Sequence, residues 1–393
     1  MIRRSKIGAF CLAAALLLSA SLAYPRQADN KEVFDRAWSL VERHYWDRTM
    51  HDLDWDAVRD RYQARAAAAP DSPRLYAVIN EMLALLDDSH VYATSPVRLA
   101  FARDRFDSDS AAGFGFDAVE SKDGWVIRSI AKAGPAAAAG LQIGWKLLSI
   151  DGQPIDLDRH FGEGDAATIV LEDENGARHS ITLKGVKLPD EPDRRATMLS
   201  DGVLLLAFDQ FDKGDDRWVA RQLAEHPGLN GVILDLRENG GGAATVLDRI
   251  AGQFVTDQRV ILRLIAKRTI EEKTIGAGPR SYQGPLAVLV GPRTASAAEV
   301  LAAFLDGIGR AYTLGEKTAG AATGGVDYDL PDGGQLSVAE YDLRMADGAR
   351  LEGRGFTPRY PLTPTLAQLR RGEDPLLDRA RALIAAQGVP ATR

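Results

Sequence analysis

Cysteine is almost missing from this 393-residue chain, and Cys11 is the only one. It falls inside an N-terminal segment that reads as a leader. The mature chain would then hold no disulfide, no thiol nucleophile and no cysteine-ligated metal. Histidine is scarce as well, six in all. No two of them stand at the spacing of a metal-binding pair, so a zinc site is not expected. Net positive charge is lacking: the formal charge is −7 with no basic cluster to offset it, which argues against general nucleic-acid binding. Beyond the leader no apolar run approaches the ~20 residues needed to cross a bilayer. The phosphate-loop spacing G-x-x-x-x-G-K-[ST] does not occur. No internal repeat is present, and nothing in the chain calls for a cofactor.

What is present begins with that leader. Arg3, Arg4 and Lys6 precede the apolar run Ile7–Leu18, and Ser21-Leu22-Ala23 offers a small-x-small cleavage site. This predicts a signal peptide over 1–23 and export, with a bacterial periplasm as the expected compartment. A retained anchor is the alternative. Phe10 before Cys11 argues against a lipoprotein.

Residues 24–95 carry helical periodicity. Val33, Ala37, Trp38, Leu40, Val41 and Tyr45 recur at three- and four-residue spacing, and Leu75, Val78, Ile79, Met82 and Leu83 follow the start signal Asp71-Ser72-Pro73. A charged linker is expected over 96–110. Short alternating strands divided by Asp123-Gly124, Asp151-Gly152 and Asn175-Gly176 fill 111–187. From 196 to 393 the texture is α/β, with strands at Val203–Phe208, Gly231–Leu236, Leu286–Val290 and Ala311–Leu314 alternating with helices.

Four segments could carry chemistry. After the strand Leu286–Val290 comes Gly291-Pro292-Arg293-Thr294-Ala295-Ser296, which opens a helix. A hydroxyl placed there meets unpaired N–H groups and the positive helix end, so Ser296 is a candidate nucleophile. The competing role is a helix cap, with Glu299 completing a capping box. The run Asp235-Leu236-Arg237-Glu238-Asn239-Gly240-Gly241-Gly242 closes a strand with glycines whose N–H groups can converge on an anion. His90 follows Asp87, Asp88 and Ser89 at a helix end, and a lone histidine of this kind is more often structural. Glu352 lies in a turn set by Gly353, Gly355 and Pro358, where a solvated loop carboxylate is the default.

Together, and in this order, these segments resemble the C-terminal-processing (tail-specific) serine peptidases, peptidase family S41, and within them the tricorn-like branch. Asp88-Ser89-His90 ends the helical segment. Gly113-Phe114-Gly115-Phe116, Gly134-Pro135-Ala136-Ala137-Ala138-Ala139-Gly140-Leu141 and Ser149-Ile150-Asp151-Gly152 resemble a PDZ-like module. Asp235-Leu236-Arg237, the glycine run, Thr294–Glu299, Gly315-Glu316-Lys317-Thr318 and Glu352-Gly353 resemble the peptidase core. The fold implied is α/β: a crotonase/ClpP-like core over 196–393, an N-terminal helical bundle over 24–95 and an inserted β-rich PDZ-like domain over 111–187. One departure is informative. Serine–lysine members carry lysine where Ala321 stands, and Lys317 is four residues early.

The resemblance therefore implies the tricorn-like set of Ser296, His90, Ser89 and Glu352. Ser296 would attack a peptide carbonyl with His90 as base, a role suited to histidine's ordinary pKa of ~6.5. Glu352 would act on the imidazole through Ser89, and the N–H groups of Ala297 and Gly241, or its neighbour Gly242, would hold the oxyanion. Backbone groups of Gly113, Phe114, Gly115 and Phe116 would take a substrate C-terminus, although Trp145 stands where the family has aspartate. The implied partner is a protein or peptide, with no nucleic acid, no membrane after signal cleavage, and a homo-oligomer or adaptor left open. A non-catalytic binding protein on the same fold is the alternative. An acyl-CoA enzyme of the crotonase type leaves the helical and PDZ-like segments without a place.

Overall fold

The computed structural model describes residues 29–100, 112–121, 124–131, 133–155, 161–188 and 194–386. The expected leader, His160 and positions 101–110 of the expected linker lie outside the described residues. Three helices come first, Asn30–His44, Trp55–Ala67 and Ser72–Leu83. Each starts on an aspartate that accepts an N–H of the first turn: Asp29 from Glu32, Asp54 from Ala57, Asp71 from Arg74. These caps satisfy donors that the helix itself leaves unpaired. On the first helix Val33, Phe34, Ala37, Trp38, Leu40 and Val41 form one buried stripe. The stripe packs on the other two helices and also on Leu336, Val338 and Ala339 from a distant strand. The helical segment thus shares its core with the far end of the chain.

A six-stranded sheet carries the largest core. Its order is Tyr360–Pro361, Tyr312–Gly315, Leu286–Val290, Gly231–Asp235, Val203–Phe208 and Arg194–Met198. All neighbours are parallel except the last, which pairs antiparallel. A parallel sheet covered on both faces needs strands apolar throughout, and Leu286–Val290 is buried at all five positions. Helices Asp215–Glu225, Ala244–Gly252 and Ala297–Gly307 lie in the cluster with Leu204, Leu206, Leu234 and Val288. Helix Pro375–Ala385 covers the opposite face through Leu376, Ala380 and Ile384 against Ile233, Ala287 and Leu289. Loops 209–214, 236–243, 291–296 and 316–321 follow the carboxyl ends of four parallel strands. That is the edge at which open α/β sheets place their sites.

A second sheet goes beyond the strands expected from the sequence. Gln335–Met345 is its spine and pairs with Tyr92–Thr94, Arg259–Ala266 and Thr323–Asp329, all antiparallel. It joins the N-terminal helices to the peptide between Ser296 and Glu352. Between these parts, Phe116–Ser121, Gly124–Ile130, Lys146–Ile150, Ala166–Glu172 and Arg178–Lys184 form a five-stranded antiparallel sheet with its own apolar cluster, and Phe116–Ser121 lies at one edge. Among the described residues no helix is long and apolar enough to cross a membrane.

Candidate active site

Ser296 stands at the N-cap of helix Ala297–Gly307 with φ 50° and ψ −119°. A non-glycine residue at positive φ is strained, and such strain concentrates where function demands a particular side-chain direction. The surroundings over-determine the conformation. Ser296 N–H donates to Ala321 O at 2.8 Å and to Glu299 Oε2 at 3.1 Å. Glu299 is fully buried and also accepts Thr318 Oγ1, Gly320 N at 2.8 Å and Ala321 N at 2.9 Å. The capping-box carboxylate foreseen in the sequence therefore does more than cap, since it binds loop 316–321 to the turn that holds Ser296. Ala321, standing at the family's lysine position, belongs to this brace through its backbone. Lys317 is exposed.

The glycine loop lies against the serine. Asn239 is fully buried; its Nδ2 donates to Phe208 O at 2.7 Å and its Oδ1 accepts Gly241 N at 2.9 Å. Ala295 N donates to Asn239 O at 3.0 Å, and Thr294 Oγ1 donates to Leu236 O at 2.6 Å, so the two loops are stitched together. Arg237 turns the other way, to Asp235 and to Asp374 at the cap of the last helix. Burial works against its charge, but those two carboxylates more than offset that and raise its pKa. The D-L-R motif is accordingly a structural tie. Gly241 N–H is already engaged by Asn239. No acceptor among the described residues takes the N–H of Gly242 or of Ala297.

Gly241 has φ +96°, and a Cβ built on it would stand 2.7 Å from Ser296 Cβ and 2.8 Å from Ala295 O. Gly241→Ala is therefore expected to push the serine out of place. Peptidase kcat/KM should fall by about 100-fold or more, as misplacements of ~1 Å do, while circular dichroism remains that of the parent. Activity within twofold of the parent would show that the serine tolerates the displacement.

His90, Ser89 and Glu352 meet in one relay. Ser89 Oγ lies 2.8 Å from His90 Nδ1 and donates to Glu352 Oε2 at 2.9 Å. A hydroxyl has one proton, so Ser89 accepts from Nδ1–H while donating to Glu352. His90 Nε2 then keeps its lone pair. Glu352 is buried, 3% exposed, and is held by Ser89 N at 2.8 Å and Ala322 N at 2.6 Å. The Glu352 carboxylate expected as a solvated loop acid is thus an interior one with three donors. The segment 321–323 links the two halves of the site: Ala321 O receives Ser296 N–H, Ala322 N–H reaches Glu352, and Thr323 Oγ1 donates to Asp88 Oδ1 at 2.9 Å. No hydrogen bond joins Ser296 Oγ to His90 among the described residues. Asp88, His90 and Glu352 are also the one place among them where three metal-ligating side chains come within 4.8 Å. Protein donors already engage both carboxylates.

The antiparallel module reaches the site through four charges. Arg293, three residues before Ser296, pairs with Asp117 on the module's edge strand and with Glu238 Oε2 at 3.2 Å, and Arg128 of the module pairs with Glu238. Burial, and then the charge of Arg293, lower the Arg128 pKa. In the loop singled out for a substrate terminus, Gly113 pairs with Val186, Phe114 stacks at 6.5 Å on Phe116, and Gly115 has φ +76° with its absent Cβ 3.4 Å from Gly134 Cα. Trp145 stacks on His179 at 4.7 Å, and His179 Nε2 pairs with Asp173 Oδ2 at 2.8 Å. The tryptophan that departs from the family pattern has a packing role there. His44 stacks on Tyr328 at 4.8 Å.

Residues 202–362 match the family model Peptidase family S41, and residues 26–84 match the Tricorn protease C1 domain. A carboxyl-terminal-processing protease of Picosynechococcus sp. is 28% identical over 340 residues, 81% of this chain and 80% of that protein. The chloroplastic C-terminal processing peptidase of Tetradesmus obliquus is 29% identical over 375 residues, 87% of this chain and 80% of its own. Among solved structures, the photosystem II D1 C-terminal processing protease superposes with a TM-score of 0.64 at 24% identity, covering 88% of this chain and 97% of that one. The chain is a serine-type peptidase. Its similarity is to peptidase family S41 over residues 202–362 and to carboxyl-terminal-processing proteases over most of its length.

Proposed function

We propose that Ser296 is the nucleophile and His90 the base of a peptidase acting on unfolded or C-terminal protein segments. The observation that carries this is the relay Glu352–Ser89–His90, which leaves Nε2 unprotonated and is fastened by 321–323 to the strained turn of Ser296. His90 takes the Ser296 proton as the hydroxyl oxygen attacks the carbonyl, then returns it to the leaving amine. Glu352 stabilises the imidazolium through Ser89. The oxyanion lies against Ala297 N–H and Gly242 N–H, the donors without acceptors, while Gly241 fixes the serine by close packing. The Ser296–His90 bond closes in the substrate complex, since catalytic hydrogen bonds in free enzymes are often long.

The rest of the chain serves the same chemistry. The six-stranded sheet and its helices are assigned as a crotonase/ClpP-like core, and 111–187 as a PDZ-like module. Residues 1–23 serve as a signal for export to the periplasm. The edge strand Phe116–Ser121 takes the substrate as an added strand, and the Gly113–Phe116 loop takes its terminal carboxylate. Support comes from Asp117, which lies on this strand and pairs with Arg293 next to the nucleophile turn. A bound peptide would therefore lead towards Ser296.

A peptide substrate with an amidated C-terminus tests the capture step. Charge-assisted hydrogen bonds are worth ~1.5–3 kcal/mol, so amidation should raise KM by roughly 10- to 100-fold with kcat little changed. Equal KM values for the free acid and the amide would remove carboxylate capture and leave the hydrolytic site standing.

A further inference from the structure

Asp88 is not a member of the relay, yet it faces it. One of its carboxylate oxygens, a ring nitrogen of His90 and an oxygen of Glu352 lie within 4.8 Å of one another. Asp88 Oδ1 accepts the His90 backbone N–H at 3.1 Å and the Thr323 hydroxyl at 2.9 Å. Oδ2 accepts the Trp46 indole N–H at 3.3 Å and the Tyr45 hydroxyl at 3.4 Å. These donors come from the end of the first helix, the turn of His90 and the strand after Ala322. A carboxylate that only capped its own turn would need the His90 N–H and none of the rest.

Two carboxylates beside one imidazole require a counter-charge, and Arg350 supplies it. Arg350 packs over the Trp46 ring at 5.6 Å and donates from Nε to the buried Asp342 at 2.7 Å. Its Nη2 is buried without a partner among the described residues. Burial works against the guanidinium charge; the Asp342 contact and then the charges of Asp88 and Glu352 overcome it and raise the pKa. The other groups around the site are the Tyr45 hydroxyl, His51 at 3.2 Å from that hydroxyl, and Asp47 beside His51. The strand Thr323–Asp329 brings uncharged Gly325 against the ring, where a Cβ would stand 3.3 Å from His90 Cβ, and its Asp327 acts on Tyr92.

We propose that Asp88 is a positioning residue for peptide hydrolysis: it fixes the turn of His90 and, with Glu352, supplies the negative field that favours the imidazolium. This rests on the Ser296–His90 reading above. The proton passes from Ser296 Oγ to His90 Nε2 and on to the leaving amine, while Asp88 and Glu352 keep their charges throughout. Removing one charge weakens the hold on the imidazolium that forms as Ser296 attacks, so kcat falls while substrate binding is kept.

The test is kcat and KM for the full chain, Asp88→Asn and Asp88→Glu, beside His90→Ala, with thermal melts for each. Asp88→Asn should keep KM and lose about tenfold or more in kcat, and Asp88→Glu, which keeps the charge, should recover a severalfold part of that loss. A parental kcat in Asp88→Asn, or an Asp88→Glu no faster than Asp88→Asn, with His90→Ala inactive, would reduce Asp88 to a cap and overturn the proposal. Activity in His90→Ala would instead overturn the reading it rests on. If Asp88→Asn does not fold, Thr323→Val removes one donor to Asp88 and leaves its charge: a severalfold loss of kcat would support the proposal, and parental kcat would overturn it.

Discussion

Ser296→Ala is expected to abolish hydrolysis of an unfolded protein such as casein, with kcat down by roughly 10⁶-fold, as when a serine nucleophile is removed elsewhere. The fold should survive. The substitution removes one oxygen and keeps the backbone bonds from Ser296 N–H to Ala321 and Glu299, which hold the turn. Alanine at φ 50° is strained as serine is, so no strain is released or added on a large scale. The N–H groups of Ala297 and Gly242 remain, and a residual rate above that of water is expected from them. The melting temperature should stay within a few degrees of the parent. A variant that retains more than a few per cent of parental activity would mean that another hydroxyl attacks.

His90→Ala should be nearly as damaging, with kcat again down by roughly 10⁶-fold, because nucleophile and base act as a unit. The two losses should not add: the double variant should be no slower than either single one. Ser89 and Glu352 keep their mutual bonds in His90→Ala, so the loss is attributable to the ring alone. The only lysine near the family's lysine motif, Lys317, is exposed and would be the alternative base. Activity that survives His90→Ala but falls in Lys317→Ala would assign the base to lysine and dissolve the relay as a catalytic device.

Much of this was legible in the chain. Leu286–Val290, apolar at every position, and Gly231–Leu236, apolar but for Asp235 near its end, announce buried strands covered on both faces. Asp29, Asp54 and Asp71 announce helix starts because short acceptors fit the first turn. The strand-to-helix junction points to Ser296 as a candidate, and only the family resemblance joins His90, Ser89 and Glu352 to it. Ser89 and Glu352 lie 263 positions apart, and 321–323 bonds to both the Ser296 turn and their relay. What stayed hidden was long-range pairing. The strand Gln335–Met345 mixes Glu340, Asp342 and Arg344 with apolar residues, so its alternation is broken, and its partners stand as far away as Tyr92. The burial of Glu352 and three of the four bonds on Glu299 could not be read locally either, since the donors come from Ser89 and Ala322 in the one case and from loop 316–321 in the other. Asn239 stands as one letter in a glycine motif, and its grip on Gly241 N–H leaves Gly242 N–H as the donor without an acceptor among the described residues.

The most direct measurement is covalent labelling of the full chain with a serine-reactive aryl phosphonate, followed by peptide mass spectrometry. We expect a single adduct, on the peptide that contains Ser296, formed many times more slowly in His90→Ala and absent from Ser296→Ala. An adduct on any other serine, or labelling of Ser296 at the same rate without His90, would overturn the serine–histidine assignment.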